Sequence, residues 1–296
     1  MRIYTAILAP LLALACMAPS ATWAQAEFQS GHFTTSDGVE LHYLEARSEH
    51  AESKPLLVFV PGWTMPAWIW QAQLDHFAAT HHVVALDPRG QGESEKATYG
   101  YTATRQSKDI CGLLNHLDDE PAVLVGWSIA GQHVLLCAND VGTEVVSAVV
   151  VVDFDMVMEP NRDFAASRIA SVQGDRPAFT RDFVEAIHRD PDPEYVEALT
   201  EAVLAVPTNA AAMSTANWFF FGPHDMGPIL DRLDRPVFLM FSSLDWAEEA
   251  AEEARTGWPN LPIEVIDETS HALFVDQPDA FNRMLEAFVT TLPKGE

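Results

Sequence analysis

The stretch Ala122-Val123-Leu124-Val125-Gly126-Trp127-Ser128-Ile129-Ala130-Gly131-Gln132 decides how this chain is read. Four apolar residues of strand character run into a glycine, and from residue 132 to 138 the pattern turns helical. A serine at the tip of such a tight strand-to-helix turn has its hydroxyl pushed out above the sheet, on strained backbone. Small residues are needed two before and two after it, because chain segments approach closely at that bend. Gly126 and Ala130 supply them. The helix that begins there points its N-terminal amides toward negative charge developing on a bound group.

Outward from this bend, short apolar runs recur at residues 56–60, 83–86, 149–152, 237–241 and 263–266, each bounded by turn residues. Continuous β-branched runs of this length suit strands covered on both faces, as in a parallel sheet. Residues 33–46 alternate around Asp37-Gly38, which predicts a two-stranded hairpin at the sheet's edge. Between the runs lie amphipathic helices, with Ile110, Leu113, Leu114 and Leu117 on one face, and Phe281, Met284, Leu285, Phe288 and Leu292 on another. Alternating strand and helix implies an α/β fold: a mostly parallel central sheet with helices on both faces. The rhythm breaks after residue 157, where some 65 residues show helical patterns without a convincing strand. Residues 158–222 are therefore read as an inserted helical cap, and 27–157 with 223–296 as the core.

The bend around Ser128 resembles the nucleophile elbow of the α/β-hydrolase superfamily, with alanine where many members have a second glycine. Two further stretches share the likeness. Val60-Pro61-Gly62-Trp63-Thr64 resembles the family's His-Gly-x loop with proline replacing histidine, and Asp87-Pro88-Arg89-Gly90-Gln91-Gly92-Glu93-Ser94 resembles its D-x-R-G-x-G-x-S loop. The latter is expected to be structural. Around Trp63 and Trp127 the sequence is most similar to the small esterase and cofactor-free haloperoxidase branch.

The resemblance implies Ser128 as nucleophile, activated by a histidine that a carboxylate orients. Of the eleven histidines, four follow Ser128: His133, His188, His224 and His271. His271, after the run 263–266 and before the last amphipathic helix, holds the family's position for the base. Asp245, a short loop beyond the run 237–241, holds its usual position for the acid; Asp153 and Asp155, after the preceding strand, are the alternative. The oxyanion would be held by the amides of Ile129 and Trp63. Trp127, Trp218 and Phe219 are expected to line an apolar pocket. No metal or organic cofactor is implied, and a serine at the elbow argues against the dehalogenase and epoxide hydrolase chemistries, which place aspartate there. The implied activity is carboxylic ester cleavage; a lactonase or C–C bond hydrolase would use the same triad, and a non-catalytic ligand-binding protein could keep the same fold.

At residues 1–26 a short basic start precedes the apolar run 7–17, too short to span a bilayer, and then Ala24-Gln25-Ala26, a pattern a signal peptidase cuts. This predicts a periplasmic or secreted protein with a mature chain beginning near Glu27 and no membrane insertion. The formal net charge of −26 repels phosphate-bearing partners, so neither nucleic acid nor an anionic bilayer is expected, only a small ester-like molecule. Oligomeric state is left open. Cys16 leaves with the signal; for Cys111 and Cys137 two buried free thiols are the expectation, with a disulfide the alternative.

Overall fold

The computed structural model describes residues 28–293, apart from Ser53, Asp119, Glu120, Glu159 and Pro160; the expected export signal lies outside them. Eight strands form one sheet: β1 Gln29–Thr34, β2 Glu40–Arg47, β3 Leu56–Val60, β4 His82–Leu86, β5 Ala122–Trp127, β6 Val146–Val152, β7 Val237–Ser242 and β8 Ile263–Ile266. Their spatial order is β1-β2-β4-β3-β5-β6-β7-β8. β1 and β2 are the antiparallel hairpin at one edge, turning through Gly38 at φ +86°, and β3 through β8 run parallel.

Period-2 geometry sends alternate residues of each central strand to opposite faces, and here both faces are covered. Val58 and Val60 join one buried cluster while Leu57 and Phe59 join the other; Leu124 and Val125, and Val151 and Val152, divide in the same way. The covering helices are α1 Gln71–Phe77, α2 Ala103–Leu117 and α3 Ile129–Asp140 before the insertion. Between β6 and β7 come α4 Arg162–Gln173, α5 Arg176–Ala186, α6 Pro193–Ala205 and α7 Thr208–Ala216, with a wide helical turn at Asn217–Phe221. The insertion's two ends are stitched together by a bridge pairing Val157 with Asp225. Then follow α8 Gly227–Leu230, α9 Asp245–Gly257, α10 Leu273–Asp276 and α11 Pro278–Thr291. No described helix is long and apolar enough to cross a membrane.

The chain leaves β3 for β4 on one side, then crosses back to β5 on β3's other side. Such a reversal opens a crevice beyond the strands' C-terminal ends, where open α/β sheets bind ligands. Trp63 follows β3 and Ser128 follows β5, so the sequence's two most distinctive loops meet there.

The expected free thiols are instead a disulfide: Cys111 on α2 is joined to Cys137 on α3. The two helices pack on the same face of the sheet, and their facing stripes bring the thiols together. A bridge between residues 26 apart removes loop-closure freedom from the unfolded chain. The double variant Cys111→Ala/Cys137→Ala is expected to lose about 3 kcal/mol in urea denaturation.

Two buried histidines add an acid sensitivity. Burial pushes His81 down to about 4, aided by the positive charges of Lys54 and His76, and burial alone pushes His133 down to about 3. Above the ordinary imidazole value of 6.5 both are neutral whether the chain is folded or unfolded. As pH falls from 6.5 toward 4 the unfolded chain takes up protons that the folded chain refuses, so stability is lost across that window. The unfolding free energy from urea denaturation is expected to fall there, by up to about 1.4 kcal/mol per pH unit for each group, and more shallowly in His133→Met.

Candidate active site

Ser128 caps α3 with φ +56° and ψ −132°, a left-handed conformation that a non-glycine residue adopts only under constraint. The constraint is visible on both sides: its N–H donates to the Val152 carbonyl of β6 at 2.8 Å, and its carbonyl accepts from the Gly131 N–H at 2.8 Å. A Cβ on Gly126 would stand 2.6 Å from both the Ala130 oxygen and a Val134 methyl, so nothing larger fits. A Cβ on Gly62 would stand 3.1 Å from the Cβ of Ser128, which brings the loop after β3 flush against the bend.

His271 lies between β8 and α10, with its side chain 19% exposed. Its Nδ1 is 2.7 Å from Oδ2 of Asp153, a carboxylate with no exposed surface. With Nδ1–H donating to that carboxylate, Nε2 is left as the basic nitrogen. Asp153 follows β6 with φ +51° and is itself held: Oδ1 accepts the Ser242 N–H at 2.7 Å, and Oδ2 accepts the Ser242 hydroxyl at 3.0 Å. The acid beside the histidine is therefore Asp153 and not Asp245. Asp245 is the exposed first residue of α9, where its charge complements the helix's positive end and faces water. Asp155 accepts the Val157 N–H at 2.9 Å in the turn leading to the cap.

The loop bearing His271 is fastened from three directions. The Trp127 indole N–H donates to the His271 carbonyl at 2.8 Å, and the two rings lie 5.1 Å apart. Ser243, beyond β7, accepts the Thr269 N–H at 3.0 Å and donates to the Thr269 carbonyl at 3.1 Å. From the cap, the Ile187 carbonyl accepts the Ala272 N–H at 2.8 Å and the Ala186 carbonyl accepts the Ser270 hydroxyl at 3.0 Å.

Ser128 and His271 line one cavity of about 300 Å³ beneath the cap. No hydrogen bond joins the Ser128 hydroxyl to His271 among the described residues; that contact commonly tightens only around a substrate. The amides of Trp63 and Ile129 flank Ser128 from the two adjoining segments, and among the described residues neither donates to a backbone carbonyl. Trp127 and Trp218 line the cavity as expected. Phe219 does not: it is buried behind the wall, packed on Trp218 at 4.5 Å and Phe164 at 5.5 Å. Sequence reasoning missed Phe164, Arg168, Phe183 and Trp246, all of which line the cavity. A larger hollow of about 740 Å³ lies at the far end, among residues preceding β3, β5 and β7, away from Ser128.

The other histidines after Ser128 stand apart. His133 is buried within α3, and His188 ties α5 to α6 through the Val184 carbonyl, at 2.8 Å, and the Tyr195 hydroxyl. His224 sits at the base of the insertion, its carbonyl accepting the Met158 N–H. The Asp87 loop is structural, as expected: Asp87 accepts from the Ala67 N–H, His42 and the Glu93 N–H, bracing the segment that follows Trp63. Among the described residues no group of three or more His, Cys, Asp or Glu is placed to hold a metal ion.

The profile of the alpha/beta hydrolase family matches residues 57–284. The 2-(acetamidomethylene)succinate hydrolase of Mesorhizobium japonicum is 24% identical, over 89% of this chain and 98% of its own. Among solved structures, an esterase from Exiguobacterium antarcticum superposes with a TM-score of 0.78 at 19% identity, over 88% of this chain and 98% of its own. A bromoperoxidase from Bacillus anthracis superposes at 0.79 with 18% identity, over 88% and 100%. At these identities the two superpositions speak for the fold.

The hydrogen bond between His271 and Asp153 makes a direct prediction. Asp153→Asn is expected to slow covalent labelling of Ser128 by a fluorophosphonate on the order of 10⁴-fold, because an amide favours the wrong imidazole tautomer. Asp245→Asn should label at the wild-type rate, as followed by intact-protein mass spectrometry.

Proposed function

Because the chain belongs to the alpha/beta hydrolase family, we propose that this hydrolase is an exported serine esterase that cleaves carboxylic esters through an acyl-enzyme on Ser128. The observation that carries the reading is His271, held by the buried Asp153 carboxylate, sharing a cavity with a serine on strained backbone. His271 Nε2 takes the hydroxyl proton as Ser128 attacks the ester carbonyl, and Asp153 steadies the imidazolium that forms. The oxyanion is met by the amides of Trp63 and Ile129, at the positive end of α3. His271 then gives its proton to the leaving alcohol, and a water activated by the same nitrogen releases the acid.

The cap sets the room available. A cavity of about 300 Å³, walled by Trp63, Trp127, Trp218 and Trp246, suits acyl chains of short to medium length. Export is supported by residues 1–26, whose basic, apolar and small-residue segments suit a signal, and by the disulfide, which persists in oxidising compartments.

A chain-length series of p-nitrophenyl esters assayed beside Ser128→Ala tests the reading. Turnover is expected to peak at short to medium chains and to be abolished in Ser128→Ala; equal turnover by the two proteins would refute it. Fluorophosphonate labelling of the wild type separates an enzyme from a binding protein on the same fold, since a binding protein leaves Ser128 unmodified.

A further inference from the structure

Arg168, on α4 of the cap, lines the cavity that holds Ser128 and His271. Its guanidinium carbon lies 4.2 Å from the centre of the Trp63 ring, 4.7 Å from that of Phe183 and 5.9 Å from that of Phe164. Among the described residues Arg168 has no carboxylate within ion-pair distance and no hydrogen bond to any oxygen. Of the described arginines that are not exposed, Arg89, Arg105, Arg176 and Arg235 each donate to a protein oxygen, and Arg168 does not. Asp182 lines an adjoining hollow with Arg168 but forms no ion pair with it.

A half-buried cation of this kind costs free energy unless something compensates it. Desolvation pushes Arg168 down to about 10, which still leaves it charged at neutral pH. The aromatic faces supply part of the compensation. An aromatic face accepts no conventional hydrogen bond, however, so the contact with the rings leaves the guanidinium N–H donors without an oxygen acceptor. A planar fork of donors without a protein acceptor, set in the wall of the cavity, matches a planar anion.

We propose that Arg168 is a specificity-determining residue that receives a free carboxylate on the acyl chain of the ester, so that the preferred substrates are half-esters of dicarboxylic acids. The assignment rests on the serine esterase reading and deepens it. The acyl side is indicated by position: Arg168 stacks on Trp63, whose amide serves the oxyanion, whereas the leaving alcohol departs beside His271, which is flanked by Trp127 and Trp246.

The test compares the p-nitrophenyl half-ester of glutaric acid with p-nitrophenyl pentanoate, which has the same chain length and no charge. Wild type is expected to favour the half-ester in kcat/KM. In Arg168→Met, which keeps a long side chain on the rings, the ratio of the two kcat/KM values should fall about 10- to 100-fold, mainly through KM, with partial recovery in Arg168→Lys. A wild type without preference, or a ratio unmoved by Arg168→Met, overturns the assignment. If wild type hydrolyses neither ester, the esterase reading fails, and calorimetry on Ser128→Ala with monomethyl glutarate still decides the role of Arg168. Binding that disappears on adding Arg168→Met supports the assignment; binding that persists, or is absent from both, overturns it.

Discussion

The site depends on one bend in the backbone. A non-glycine residue at φ +56° costs about 1–3 kcal/mol, and Ser128 keeps that conformation because its N–H is committed to β6 and its carbonyl to the first turn of α3. Relaxing the bend would pull β5 from its neighbour. The register does the rest: Val60 of β3 pairs with Gly126 of β5, and Trp127 of β5 pairs with Val152 of β6. The residues just past those pairs are the Pro61-Gly62-Trp63 loop, Ser128 and Asp153. Three functional groups far apart in sequence thus emerge side by side because three parallel strands end together at the reversal of strand order. Only His271 must be brought in by a longer loop, and that loop is the most heavily fastened, by β5, β7 and the cap.

This explains why the elbow was legible in the sequence and the acid was misassigned. The elbow's sequence signature is local: the strand, the bend and the helix all lie between 122 and 140, and the need for a small residue at 126 comes from near neighbours in the chain. The acid is fixed by tertiary contacts. Asp153 and Asp245 each follow a strand, and β6 and β7 are adjacent, so position along the chain cannot separate them. What separates them is the left-handed turn at Asp153, which brings its carboxylate to Ser242 and His271, and the start of α9 at Asp245. A cue for the second was present, because Asp245-Trp246-Ala247-Glu248-Glu249 places carboxylates in a helix's first turn, where they are drawn by the dipole. Cys111 and Cys137 repeat the lesson: periodicity put each on a helix, but only the packing of α2 on α3 makes them partners.

The cap was the least readable part. Its aromatic run at 218–221 announces a wall without saying which rings form it, and in the fold Trp218 lines the cavity, Phe219 backs it and Phe221 stands 80% exposed. Arg168 carried no signal at all, since a sequence shows a charge and not whether the charge is paired. Its isolation exists only once α4 lies across Trp63.

The chain's overall charge also bears on what Arg168 does. A net charge of −26 repels an acidic ester at long range, and at first sight that argues against an anionic substrate. The two effects act over different distances, however. At about 0.1 M salt, surface charges are largely screened beyond about 10 Å, so the general repulsion bears mainly on how often an anion arrives. A guanidinium partly withdrawn from water and set against aromatic rings acts at contact, where screening is weak and the attraction is strongest. A guanidinium without an internal partner in the wall of the cavity therefore offers an anion a contact beside the nucleophile that the net negative charge does not cancel.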